Sequence, residues 1–119
     1  MVNMKRVKGL FNAPMDKRYK SFCVQAADCE EVWLMQETPD VPVFQQDRIC
    51  VWPGKEFVVL YQADAIPVVI EVHDFMDECR NRIKNQDFII HVFPNTNDCC
   101  AVLASRLLVS IQAELNLVE

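Results

Sequence analysis

Six cysteines (Cys23, Cys29, Cys50, Cys79, Cys99, Cys100) and two histidines (His73, His91) are the side chains whose chemistry would matter most if this chain were an enzyme. A thiol beside an imidazole is a nucleophile in waiting. His91 alternates with Ile90 and Val92 in an apolar run, and His73 opens a helical stretch, where the dipole lowers imidazole basicity. The pairing of one thiol with one imidazole is spatial, so spacing leaves every combination open. In the vicinal pair Cys99-Cys100 consecutive strand side chains point to opposite faces, which directs one thiol inward. The other vocabularies of catalysis are absent. There is no Gly-x-Ser-x-Gly, no histidine pair at metal-ligating spacing on one helix, and no phosphate-cradling loop in a chain with only two glycines, Gly9 and Gly54. No Cys-x-x-Cys pair is present, and no metal or other cofactor is expected.

The second candidate chemistry is recognition. Trp33 and Trp52 fall on neighbouring predicted strands, where two indoles can line a groove for a peptide or an aromatic ligand. Pro53, Phe93, Pro94 and Asn95 mark the strand ends beside them, and loops at one sheet edge are frequent carriers of function. These six form the expected binding surface. The competing reading is that both tryptophans are core, with their N–H groups satisfied by backbone.

The elements that must position these residues follow from periodicity. Val7, Leu10 and Phe11 predict a short helix over 3–11, broken at Asn12-Ala13-Pro14. Tyr19, Phe22, Cys23 and Ala26 recur at i, i+3, i+4 and i+7, the stripe of an amphipathic helix. Strands are expected at Glu31–Gln36, at Val41–Phe44 and Arg48–Trp52 as a hairpin about Gln45-Gln46-Asp47, and at Val68–Val72. Prolines at 39 and 42 demote the run at Val41 to an edge. Pro53-Gly54 opens a helix bearing Phe57, Leu60 and Tyr61, and His73–Gln86 is a helix with Phe75, Met76, Cys79 and Ile83 inward. Phe88–Phe93 and Cys99–Ala104 read as antiparallel strands joined by an asparagine-rich turn. Ser105 is the expected N-cap of a closing helix with Leu108, Ile111, Leu115 and Val118 buried. The fold class is α+β: a small, mostly antiparallel sheet packed against several helices. Residues 1–13 form a short helix and basic arm, and 14–119 a single domain.

At 119 residues, with 51% apolar and 24% charged side chains, the chain can bury one proper core. No stretch approaches the roughly 20 apolar residues of a membrane span. The N-terminus lacks the apolar segment of a secretory leader, so reduced thiols and a cytoplasmic location are expected. Residues 1–20 hold six basic side chains against one acid, whereas the remainder holds six against sixteen. An acidic body of this kind favours a basic protein partner. Nucleic acid is disfavoured, because the basic arm has no interleaved aromatics. The resulting expectation is a non-enzymatic, macromolecule-binding protein of the inhibitor or immunity type. A small-ligand sensor and a small Cys/His-dependent enzyme are the alternatives, and the oligomeric state is left open.

A set of ordered signposts adds to this reading. Arg18-Tyr19, Phe22, Ala27-Asp28, Glu31-Val32-Trp33, Trp52-Pro53, Glu56-Phe57, Pro67, Ile70, Asp74-Phe75 and Val92-Phe93-Pro94 succeed one another before a leucine-rich closing helix. In order and spacing the chain resembles the small, mainly bacterial family catalogued as domain of unknown function 2750, over nearly its whole length. It departs from the family at Arg80-Asn81, Gln86-Asp87 and Asn95-Thr96-Asn97, all in turns or on helix surfaces. The resemblance implies one α+β domain and carries no activity with it.

Overall fold

The computed structural model describes residues 3–118. Helix α1 (Met4–Phe11) begins at Asn3, whose side-chain oxygen accepts from the Lys5 and Arg6 amides. Pro14 caps helix α2 (Met15–Cys29), which buries Arg18, Phe22, Cys23, Ala26 and Ala27 along one stripe. It ends at Glu30 in the left-handed region, φ 59°, a conformation that lets a helix stop and the chain turn sharply. Strand β1 (Glu31–Gln36) follows at once. The remaining elements are β2 (Cys50–Trp52), α3 (Lys55–Tyr61), β3 (Ile66–Glu71), α4 (Val72–Ile83), β4 (Ile89–Val92), β5 (Cys100–Leu103) and α5 (Ala104–Val118).

The five strands form one sheet in the order β3-β1-β2-β4-β5. Every neighbouring pair is antiparallel except β2 and β4, which run parallel. Pleating sorts the side chains into two faces. On one face Leu34, Val51 and Val92 align across three strands, joined by Val32 and Ile90, all buried. Helices α2, α4 and α5 cover this face, with α5 packed against both of the others. Phe22, Phe75, Leu107 and Ile111 are fully buried there, each such side chain contributing about 1.5–3 kcal/mol by its removal from water. On the opposite face α3 packs against β1, β2 and β3. The half of that face formed by β4 and β5 carries Ile89 and Leu103, each 47% exposed, and exposed Ala101.

Three expectations need correction. Val41–Phe44 is not a strand: Val43–Gln45 forms one 3-10 turn after Pro42, so there is no hairpin about Gln45-Gln46-Asp47. Pro42 has no N–H to donate, and a side chain fills the place of the missing strand. The Gln46 amide accepts from the Glu37 N–H at 2.7 Å and donates to the Met35 carbonyl at 2.8 Å. The turn also drives Phe44 into the core, its ring 5.9 Å from that of Phe75. Ser105 is not an N-cap but lies in the first turn of α5, where the Asp87 carboxylate accepts from its N–H and hydroxyl. The buried stripe of α5 is Ala104, Leu107, Ile111 and Leu115, with Leu108 partly covered and Val118 at 54% exposure. Among the described residues no helix is long and apolar enough to cross a membrane.

Candidate functional site

Five of the six residues expected to bind a ligand, Trp52, Pro53, Phe93, Pro94 and Asn95, are buried. They form the junction where β2 and β4 end side by side. The Trp52 indole N–H donates to the Pro94 carbonyl at 3.0 Å, and its ring stacks at a tilt 5.3 Å from Tyr61 of α3. Phe93 takes a left-handed backbone, φ 48°, and meets Phe57 edge-on at 4.7 Å. Asn95 donates to the Phe11 carbonyl at 2.9 Å, pinning α1 to the body, and its oxygen accepts from the Asn97 and Asp98 amides.

Arg18, a family signpost in the sequence to which no structural role was assigned, holds this junction together. Arg18 is 1% exposed. Its guanidinium donates to the Phe93 carbonyl at 2.9 Å, to the Ala13 carbonyl at 2.6 Å and to the Asp98 carboxylate. A planar fork with five donors suits such a site, where a lysine ammonium would leave acceptors unmet. The signal was present: Arg18 stands one helical turn before Phe22 and two before Ala26, on the buried stripe. Charge alone argued for solvent.

The turn so braced, from Phe93 to Asp98, delivers Cys99 to the open half of the sheet. There its Sγ lies 3.4 Å from His91 Nδ1 and 3.6 Å from an Arg48 guanidinium nitrogen, which donates to it. Burial, and then the charge of Arg48, hold the His91 imidazole below its ordinary pKa. Of the two histidines weighed for a thiol partner, His91 therefore has one. His73 is engaged with Glu71, its Nδ1 2.8 Å from the carboxylate. All six cysteines are free. Burial pushes the thiols of Cys23 and Cys79 up to about 12 and that of Cys50 up to about 11. Cys99 and Cys100 are both half-buried rather than one in and one out. The reason is that β5 is an edge strand: a groove of about 650 Å³ between it and α2–α5, lined by Met15, Tyr19, Val102 and Arg106, leaves even its inward side chains partly open.

A second open surface lies at the other edge. Trp33 is partly covered, packs against the core, and is the direct β1–β3 partner of Val69, which is 48% exposed. Two pairs along, on the same face, Glu31 faces Glu71. The Glu31 carboxylate accepts from the Trp33 indole N–H at 3.2 Å. The Glu71 carboxylate accepts from the His73 and Asp74 amides and so caps α4. Its hydrogen bond from His73 is the main reason its pKa is lowered.

Among the described residues no group of three His, Cys, Asp or Glu side chains is placed to share a metal ion. No curated protein and no solved structure matches the chain. A family profile does match, over residues 19–110, which spans β1 to β5 and most of α2 together with both open surfaces. The chain therefore belongs to the family described as protein of unknown function DUF2750.

Proposed function

We propose that this protein is a non-enzymatic binding module that docks a basic segment of another protein on the corner formed by Glu31, Trp33, Val69 and Glu71. One observation carries the reading: Glu31 and Glu71 are direct cross-strand partners. Like charges directly opposite one another destabilise a sheet, and a lysine or arginine from a partner placed between them reverses the sign of that interaction. The adjoining Trp33 face and half-exposed Val69 supply the apolar and cation–π contacts that such a side chain seeks. Net charge −5 favours the same class of partner at long range. In its concrete form the protein is an inhibitor- or immunity-like neutraliser of a basic protein. Of the six expected binding residues only Trp33 has a direct part in this surface, with Trp52 and its neighbours serving as its buried foundation.

The test compares tagged wild type with Trp33→Ala and the double variant Glu31→Gln/Glu71→Gln in capture from host lysate, at about 50 mM and about 0.5 M salt, where screening shortens to a few ångströms. A stoichiometric basic protein held by wild type at low salt, released at high salt and lost from both variants is the expected result. Equal capture by wild type and variants, or indifference to salt, rejects the corner as the docking surface.

A further inference from the structure

We propose that Cys99 is a thiol-exchange site for anionic low-molecular-weight disulfides, with Arg48 holding the anion and His91 receiving the thiol proton. The site stands apart from the acidic corner and does not depend on it. Three elements converge on it: Arg48 just before β2, His91 within β4, and Cys99 at the mouth of β5. His91 is the register partner of Cys50 in β2 and of Ala101 in β5. Alternation along β5 puts Cys99 on the same face as Ala101 and Leu103. Beside the sulfur, exposed Ile89, Ala101 and Leu103 make a shallow apolar platform, with α3 packed on the β1–β3 part of the same face. A disulfide carrying a carboxylate and some apolar surface fits this combination.

The chemistry balances without a further reactant. Neutral His91, with its own proton on Nε2, accepts the Cys99 proton at Nδ1. The Cys99 sulfur attacks one sulfur of the incoming disulfide R–S–S–R, forming Cys99–S–S–R as the original S–S bond breaks. The departing RS⁻ leaves with the bonding pair and takes the proton from His91. Cys99 is oxidised and the departing sulfur reduced. Exchange proceeds by such in-line thiolate attack, and a guanidinium beside the sulfurs stabilises the negative charge that passes between them. Burial that keeps His91 below its ordinary pKa keeps Nδ1 available as the acceptor.

The other thiols are poorly placed for this. Cys23, Cys50 and Cys79 are buried, and burial raises Cys100 as well. Cys29 is exposed, but no histidine or arginine is hydrogen-bonded to it among the described residues.

The experiment uses the full chain carrying Cys29→Ser, treated with dithiobis-nitrobenzoate, a dianionic aromatic disulfide, and with neutral dipyridyl disulfide. Released thiolate is followed by absorbance and the adduct is mapped by mass spectrometry. One fast equivalent mapping to Cys99 is expected, reacting about tenfold faster than Cys29 does in wild type. Arg48→Gln should slow both reagents, because the guanidinium also stabilises the thiolate, and should slow the dianionic one about fivefold more than the neutral one. His91→Gln should slow both. Should Cys99→Ser fail to fold, the adduct map on the Cys29→Ser protein still decides the matter. An adduct elsewhere, a Cys99 rate no greater than that of Cys29, or equal slowing of both reagents by Arg48→Gln overturns the assignment.

Discussion

Trp33 and Trp52 face one another directly across β1 and β2, yet Trp52 is fully buried while Trp33 keeps part of its surface in solvent. Strand position accounts for the difference. Trp52 lies on the central strand, beneath Tyr61 of α3, with its indole N–H spent on the Pro94 carbonyl. Trp33 lies one strand nearer the edge, and its N–H reaches only an exposed carboxylate. Trp52 thus takes the core position weighed from sequence, while Trp33 is half-buried against the same core.

Acrylamide, a neutral quencher that the acidic corner does not repel, should accordingly quench one of the two tryptophans in the folded state. In Trp33→Phe the remaining emission is blue-shifted and resists quenching until the protein unfolds. That substitution costs about 1 kcal/mol, since Trp33 is half-buried against the core. Trp52→Phe leaves the Pro94 carbonyl without its donor and costs about 1–3 kcal/mol. Equal quenching of both single-tryptophan proteins would contradict the assignment.

Removing the Arg18 guanidinium strands the Phe93 and Ala13 carbonyls and breaks an ion pair to Asp98, whose side chain is 45% exposed. Urea unfolding of Arg18→Ala should show a loss of about 2–4 kcal/mol, from the stranded carbonyls and the emptied volume. Arg18→Lys should recover only part of it, since one ammonium cannot reach acceptors in a planar fork. A loss below about 1 kcal/mol for Arg18→Ala would show that the junction stands without it.

Glu30 terminates α2 in a left-handed conformation with its side chain exposed and its carbonyl accepting from the Val72 amide at 2.9 Å. Left-handed geometry costs a β-carbon about 1–2 kcal/mol. Glycine keeps the carbonyl and lifts that cost, less its own larger loss of chain entropy. Glu30→Gly should therefore raise the thermal midpoint by a few degrees, corresponding to about 1 kcal/mol or less. A lowered midpoint would mean that the glutamate side chain supplies a contact worth more than the strain.

Asp87 has its pKa lowered, chiefly by the Ser105 hydroxyl and further by the Ser105 and Phe88 amides. A carboxylate whose folded pKa lies below its unfolded value, about 3.9, stabilises the fold fully above that value. The contribution is lost as pH falls through the depressed folded pKa. Wild type should thus lose stability more steeply below about pH 4 than Asp87→Asn, with the two curves converging at low pH. Parallel curves from pH 6 to pH 2 would remove Asp87 from the acid limb.

Most elements were legible because each carries its own period. The stripe of α2 and the α4 face of Phe75, Met76 and Cys79 were read directly, as were the strand at Glu31–Gln36 and the alternation of β4 about His91. Where local pattern misled, a long-range partner had intervened. The run at Val41 has strand-like residues, but the Gln46 amide occupies the backbone positions that a strand would have used. Leu108 and Val118 fit a helical stripe as well as Leu107 does. Which stripe is buried depends on where α2 and α4 lie against α5.

By itself the sequence determined the α+β class, most of the element order and the antiparallel pairing of β4 with β5, since these follow from periodicity and turn chemistry within short windows. Tertiary structure alone decided that β2 and β4 run parallel, that Arg18 is buried against a carbonyl 75 residues away, and that Arg48 meets a thiol 51 residues on. The physical reason is the same in each case. A local window reports which side chains prefer to leave water. The distant group that satisfies a buried guanidinium, or polarises one thiol among six, is chosen only when the layers close.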